Sequence, residues 1–150
     1  PGQQRVQELG GEFGTVTGRT RRCGWLDLVA LRYAVRLNGI TSLALTKLDV
    51  LSSFAEVPVC VAYTLRDGTE TSEFPAHQSD FHHCRPVFET LAGWSAPLDE
   101  VSELDALPEN ASRYVEFVER ELEVPVSLIG TGAERERVLA PGPVEALARP

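Results

Sequence analysis

Methionine is absent from all 150 positions, and cysteine occurs only at Cys23, Cys60 and Cys84. An odd count with no Cys-x-x-Cys pair argues against a disulfide framework and fits a reducing, cytoplasmic setting. No apolar run approaches the roughly 20 residues that a membrane-spanning helix needs. Residues 1–10 are polar and lack the apolar stretch of a signal peptide, so no membrane association is expected. Basic charge is also short. Fourteen Lys and Arg against 22 Asp and Glu leave a formal net charge of −8. General electrostatic binding to nucleic acid needs a basic surface, so no nucleic-acid partner is expected. A few arginines focused in one cleft can still bind a small anion on an acidic protein. GxSxG, HExxH and Walker A patterns are missing as well. A chain that opens on Pro1 without any methionine reads as a fragment or a processed product.

What is present is patterned as mixed α/β. Gly10, Gly11 and Gly14 open a turn region. Leu28, Leu31, Ala34, Val35 and Leu37 then recur at helical spacing, and Asn38-Gly39 supplies a stop. Residues 42–46 read as a short buried strand that runs into a functional loop, and residues 57–64 as a second strand, with Pro58 near its start or at an edge. Arg66-Asp67-Gly68 is a hairpin signal, which makes residues 69–74 the expected returning strand. Residues 75–86 and 93–107 read as loops, with a short strand over 87–91 between them. A helix is expected from Pro108, its apolar face made by Ala111, Tyr114, Val115, Val118 and Leu122. Residues 126–129 form a β-like run ending in Gly130-Thr131-Gly132, residues 134–139 a final strand, and residues 141–150 a frayed tail. Trp25 and Trp94 read as packing residues.

Three segments carry candidate chemistry. In Thr17-Gly18-Arg19-Thr20-Arg21-Arg22, guanidinium groups lie beside glycine and hydroxyl side chains, a combination suited to carboxylate or phosphate. The plain alternative is a solvated basic turn. In Thr46-Lys47-Leu48-Asp49, an aspartate after a strand can accept two hydrogen bonds from guanine, at N1–H and the 2-amino group. A lysine two residues earlier can lay its aliphatic stem along the purine. The alternative is a surface ion pair. Gly130-Thr131-Gly132 could bring backbone close to a base or ribose, or could be a simple turn. His77, His82, His83 and Cys84 match no standard zinc spacing. Glu119 with Glu121, and Glu134 with Glu136, read as solvated faces. No metal ligands and no catalytic residue are expected among them.

Taken in order, the words Gly11-Glu12-Phe13-Gly14, Thr17-Gly18-Arg19-Thr20-Arg21-Arg22, Gly24-Trp25-Leu26-Asp27 and Leu45-Thr46-Lys47-Leu48-Asp49-Val50-Leu51 resemble adenylosuccinate synthetase. Val59-Cys60-Val61-Ala62-Tyr63, Gly93-Trp94 and Gly130-Thr131-Gly132 complete the series. The resemblance runs over about residues 9–139. It implies a mixed sheet with flanking helices, forming the C-terminal segment of one larger, P-loop-like nucleotide-binding ligase domain.

By the same resemblance, the activity is a step of purine nucleotide (AMP) biosynthesis. IMP is condensed with L-aspartate through a 6-phosphoryl-IMP intermediate, with GTP as co-substrate and Mg2+ as the metal, in a homodimer. Thr15, Val16, Thr17, Gly18, Arg19, Thr20 and Arg21 would bind aspartate and IMP. Arg21, Lys47, Leu48, Asp49, Gly130, Thr131 and Gly132 would bind GTP. The family's phosphate-binding glycine loop, its catalytic aspartate and histidine, and its magnesium ligands are expected upstream, so this segment alone should be inactive. A stand-alone nucleotide- or anion-binding module, or an inert fragment, is the alternative.

Overall fold

The structure is a computed structural model that describes residues 2–140, so the expectation for the tail at 141–150 lies outside the described residues. The elements run in order α1 (Gly2–Leu9), α2 (Leu28–Asn38), β1 (Leu43–Leu45), α3 (Leu48–Leu51), β2 (Glu56–Thr64) and β3 (Glu70–Thr71). They continue with α4 (Gln78–His83), β4 (Arg85–Ala92), α5 (Glu109–Leu122), β5 (Val126–Gly130) and β6 (Val138–Leu139). A 3-10 turn covers Leu104–Ala106. The strands form two three-stranded sheets: a mixed one ordered β1-β5-β6 and an antiparallel one ordered β3-β2-β4. The expected mixed α/β architecture is therefore present.

Helix α2 starts where Asp27 caps it, its carboxylate accepting the Ala30 N–H at 3.0 Å. It stops at Gly39, whose φ of 59° suits a residue without Cβ. Helix α5 buries Ala111, Tyr114, Val115, Phe117, Val118 and Leu122. Each large apolar side chain taken out of water there contributes about 1.5–3 kcal/mol. Phe117 was not anticipated in that face. Arg32 of α2 ties the two helices together, donating to the Glu121 carboxylate and to the Glu121 carbonyl, both at 3.0 Å. Trp94 is buried and its indole N–H donates to Ser52 Oγ at 2.9 Å. Trp25 packs edge-on against Phe54. Both tryptophans serve packing, as expected.

Three expectations need correction. Strand β2 does pair with the segment after the hairpin turn, but only through Tyr63↔Thr71 and Thr64↔Glu70. Its principal partner is β4, paired from Glu56↔Ala92 to Thr64↔Arg85 with a register shift between Cys60 and Ala62. Residues 75–86, expected to be a loop, contain α4 and the start of β4. Pro86 is tolerated because β4 is an edge strand. The final strand is confined to Val138–Leu139 rather than spanning 134–139. The polar residues at the start, for which no element was expected, form helix α1, which ends where Gly11 adopts a φ of 59°.

Among the described residues no helix is long and apolar enough to cross a membrane.

Candidate functional site

The arginine-rich segment is an ordered hairpin. An antiparallel bridge joins Phe13 to Thr20. Gly14 N–H donates to the Arg19 carbonyl at 2.8 Å, and Arg21 N–H to the Glu12 carbonyl at 3.0 Å. At the tip, Gly18 takes a φ of 63° and donates to the Gly14 carbonyl at 2.8 Å. Thr17 Oγ1 accepts the Arg19 N–H at 3.3 Å. Thr17 and Gly18 thus shape the turn, while Thr15, Val16 and Thr20 are exposed, Val16 almost fully at 96%. Gly14, Thr17, Arg19, Thr20, Arg21 and Arg22 border an open cleft of about 670 Å³. Among the described residues, the guanidinium groups of Arg19 and Arg22 have no hydrogen-bond or ion-pair partner, so both are available to an anion in that cleft.

The second and third segments meet because β1 and β5 are parallel neighbours, with Leu45 opposite Ile129. Their C-terminal ends emerge side by side, the usual ligand-binding end of such strands. A Cβ on Gly130 would lie 3.3 Å from the Thr46 Cα, a tight contact, so the glycine eases the close approach of the two loops. Lys47 adopts a left-handed backbone with φ 62° and precedes the first turn of α3. Leu48 is 1% exposed, so any contact it makes with a ligand is confined to its backbone. Oδ1 of Asp49 is buried and has no hydrogen-bond partner among the described residues. Thr131 is buried as well, its N–H donating to the Arg137 carbonyl at 2.9 Å and its hydroxyl to the same oxygen at 3.5 Å. Its loop therefore presents backbone rather than a free hydroxyl.

Glu12, present in the motif words but given no role on sequence, joins the first segment to the second. Its Oε2 accepts Arg21 Nη1 at 3.1 Å, and its Oε1 accepts the ammonium of Lys47. Lys47 Nζ also donates to the Gly10 carbonyl at 2.7 Å. The hydrogen bonds from Lys47 and then Arg21 hold the Glu12 carboxyl below its ordinary range. The only sequence signal was a lone acid between glycines at the foot of a basic loop.

Other candidates resolve as structure. Glu119, expected to be solvated, accepts the Val126 N–H at 2.7 Å, and Glu121 is held by Arg32 at 3.0 Å. Both carboxylates therefore join elements instead of facing water. His83 Nδ1 lies 2.6 Å from the Ser79 carbonyl, and the Cys84 thiol donates to the Phe81 carbonyl at 3.1 Å. Among the described residues no three His, Cys, Asp or Glu side chains gather in a way that could hold a metal ion. Asp27, which caps α2, also accepts the Tyr63 hydroxyl. Burial first, and then the Asp27 charge, push the neighbouring Cys60 thiol up to about 11. A largely apolar cleft of about 490 Å³, bordered by Val6, Trp25, Leu31, Leu45, Val50 and Leu51 among others, lies beside Lys47 and Glu12.

The family model for adenylosuccinate synthetase matches residues 2–139. The adenylosuccinate synthetase of Acidothermus cellulolyticus is 51% identical over 136 residues, which make up 91% of this chain and 32% of that protein. That of Streptomyces coelicolor is 48% identical over 136 residues, again 91% of this chain and 32% of the relative. The solved structure of fully ligated adenylosuccinate synthetase from Plasmodium falciparum matches with a TM-score of 0.88 at 36% identity. The match covers 93% of this chain and 34% of that one. The chain thus spans about a third of the length of the curated relatives it matches.

Proposed function

Because this chain belongs to the adenylosuccinate synthetase family, we propose that it is the part of such an enzyme that binds aspartate and reads guanine. The complete enzyme would condense IMP with L-aspartate at the expense of GTP, through 6-phosphoryl-IMP, as a cytoplasmic homodimer. In this reading the arginine hairpin takes the aspartate carboxylates. Arg19 pairs with them from the open cleft and reaches the IMP ribose, and Arg21 lies between the aspartate and GTP sides. Thr15, Val16, Thr17, Gly18 and Thr20 form the rest of that binding loop. Lys47 and Asp49 hold the guanine, and the backbone of Leu48, Gly130, Thr131 and Gly132 closes the pocket around it. The chemistry is one of positioning and charge neutralisation, since aspartate and the phosphates repel one another. The catalytic base and the phosphate-binding loop are assigned to the remainder of the enzyme. So is Mg2+, for which the described residues offer no ligand cluster.

The observation that carries the proposal is the unpaired buried Oδ1 of Asp49. Leaving a buried acceptor unmade costs about 1–3 kcal/mol. If the Asp49 side chain turns outward from this covered position, the two adjacent N–H donors of a guanine edge would recover that cost, and adenine presents no such pair. The test uses the full-length enzyme carrying this segment, with IMP, aspartate and GTP or XTP. Asp49→Asn replaces one acceptor oxygen with a donor. It should lower kcat/KM for GTP by about tenfold to a hundredfold. Use of XTP should rise relative to GTP, because xanthine has a carbonyl at position 2. An unchanged GTP-to-XTP ratio, or no adenylosuccinate from the wild-type enzyme, would reject the reading.

A further inference from the structure

Glu12 stands at the foot of the arginine hairpin and touches both halves of the proposed site. Its carbonyl and its Oε2 both accept from Arg21, at 3.0 and 3.1 Å, while its Oε1 accepts from Lys47. The carboxylate is mostly covered, its side chain 19% exposed, whereas Arg21 and Lys47 are 59% and 51% exposed. One shielded anion therefore serves two cations that reach outward from different loops.

The Lys47 end of this arrangement is strained. A non-glycine residue at φ 62° persists only when its surroundings over-determine it. Its ammonium is anchored at two points, the Glu12 carboxylate and the Gly10 carbonyl. Asp49 follows two residues later, so whatever fixes the Lys47 backbone also fixes the direction from which Asp49 projects. At the other end, Glu12 limits the freedom of the Arg21 guanidinium. The hairpin itself does not depend on this side chain, because its stem is closed by backbone bonds from Gly14 to Arg19 and from Arg21 to Glu12.

We propose that Glu12 is a positioning residue that couples the arginine hairpin to the lysine-aspartate loop, so that a ligand in one orders the other. The proposal rests on assigning these two loops to aspartate and guanine. A ligand that immobilises Lys47 immobilises Glu12 and, through it, Arg21. The second ligand then meets a loop whose ordering cost is already met, which is positive cooperativity. Linkage requires the effect to be reciprocal. An exposed ion pair with a merely structural role would change stability slightly and leave the cooperativity alone.

The experiment measures aspartate affinity in the full-length enzyme with IMP present, with and without a non-hydrolysable GTP analogue. In the wild type the analogue should tighten aspartate by at least about fivefold, and aspartate should tighten the analogue equally. In Glu12→Gln, whose amide keeps an acceptor but loses the charge that serves both cations, the mutual effect should fall below about twofold. Glu12→Asp keeps the charge but withdraws it by one methylene. It should lose the coupling too, and it replaces the glutamine variant if that one does not fold. Equal coupling in the wild type and in either folded variant, or no coupling in the wild type, would overturn the inference while leaving the loop assignment intact. A wild-type enzyme that binds neither ligand would overturn the assignment and this inference together.

Discussion

Arg19 and Arg21 are two positions apart and carry the same group, yet they should respond differently to substitution. Arg21 is engaged by Glu12, whereas the Arg19 guanidinium has no partner among the described residues. Removing Arg19 should therefore leave the fold untouched and act on ligand alone. In the full-length enzyme, Arg19→Leu should remove a charge-assisted contact worth about 1.5–3 kcal/mol, or about ten- to 150-fold in kcat/KM for aspartate. The melting temperature should not move, and the KM for GTP should change by less than about twofold. Steady-state kinetics with aspartate and GTP varied separately decides this. Unchanged aspartate kinetics would return the hairpin to a solvated basic turn. At this scale residue type and order singled out the arginines, Lys47 and Asp49 as candidates. The inward turn of Leu48 and Thr131, and the buried unpaired oxygen of Asp49, depend on which way a side chain faces, and a four-residue word does not encode that.

Among the elements, α2 and β2 share Asp27. Its Oδ1 caps the helix at Ala30 and its Oδ2 takes the Tyr63 hydroxyl of the sheet. Cap loss alone costs about 0.5–2 kcal/mol, and an abandoned buried hydroxyl adds about 1–3 kcal/mol. Asp27→Ala should therefore lower the free energy of unfolding by roughly 1.5–5 kcal/mol. Tyr63→Phe, which removes only the hydroxyl, should cost about 1 kcal/mol. Urea titrations of the three proteins would measure both. A cost for Asp27→Ala no larger than that of Tyr63→Phe would mean that the cap contributes nothing. Sequence located α2 and its Gly39 stop because capping and helical periodicity are local. The second duty of Asp27 was invisible, since Tyr63 lies 36 residues away.

For the whole molecule, two expectations follow from what is buried and what is open. Burial raises the Tyr114 phenol to about 12 and the Cys60 thiol to about 11, and it moves the Tyr63 hydroxyl upward as well. These groups hold in the folded state protons that the unfolded chain releases from 9.0 for Cys and 10.0 for Tyr. The unfolded state then binds fewer protons, so stability is complete below about pH 9 and falls as pH rises from there toward about 12. Melting curves at stepped pH should show this decline, and Cys60→Ala should weaken its first part, which begins near pH 9. A melting temperature that stays constant to about pH 11 would contradict the shifts. The isolated chain should also form no adenylosuccinate from IMP, aspartate and GTP. Among the described residues, parallel strand β1 is an edge strand beside an apolar cleft of about 490 Å³, and parallel sheets are normally covered on both faces. Product from the purified chain would refute this.

Sequence by itself determined the two long helices, strand β2 with its turn, the mixed α/β class and the ordered motif words that carry the family, because periodicity, caps and turn residues act over a few positions. Tertiary structure alone decided the rest. It chose β4 rather than residues 69–74 as the main partner of β2, since alternation marks an apolar face but not the strand that will pair with it. It made helices of the polar stretches at Gly2–Leu9 and Gln78–His83, where no buried residue announces one. It turned Glu119 and Glu121 into ties between elements. It also brought Glu12 to Lys47 across 35 residues, a meeting that depends on how the arginine hairpin lies against the end of β1.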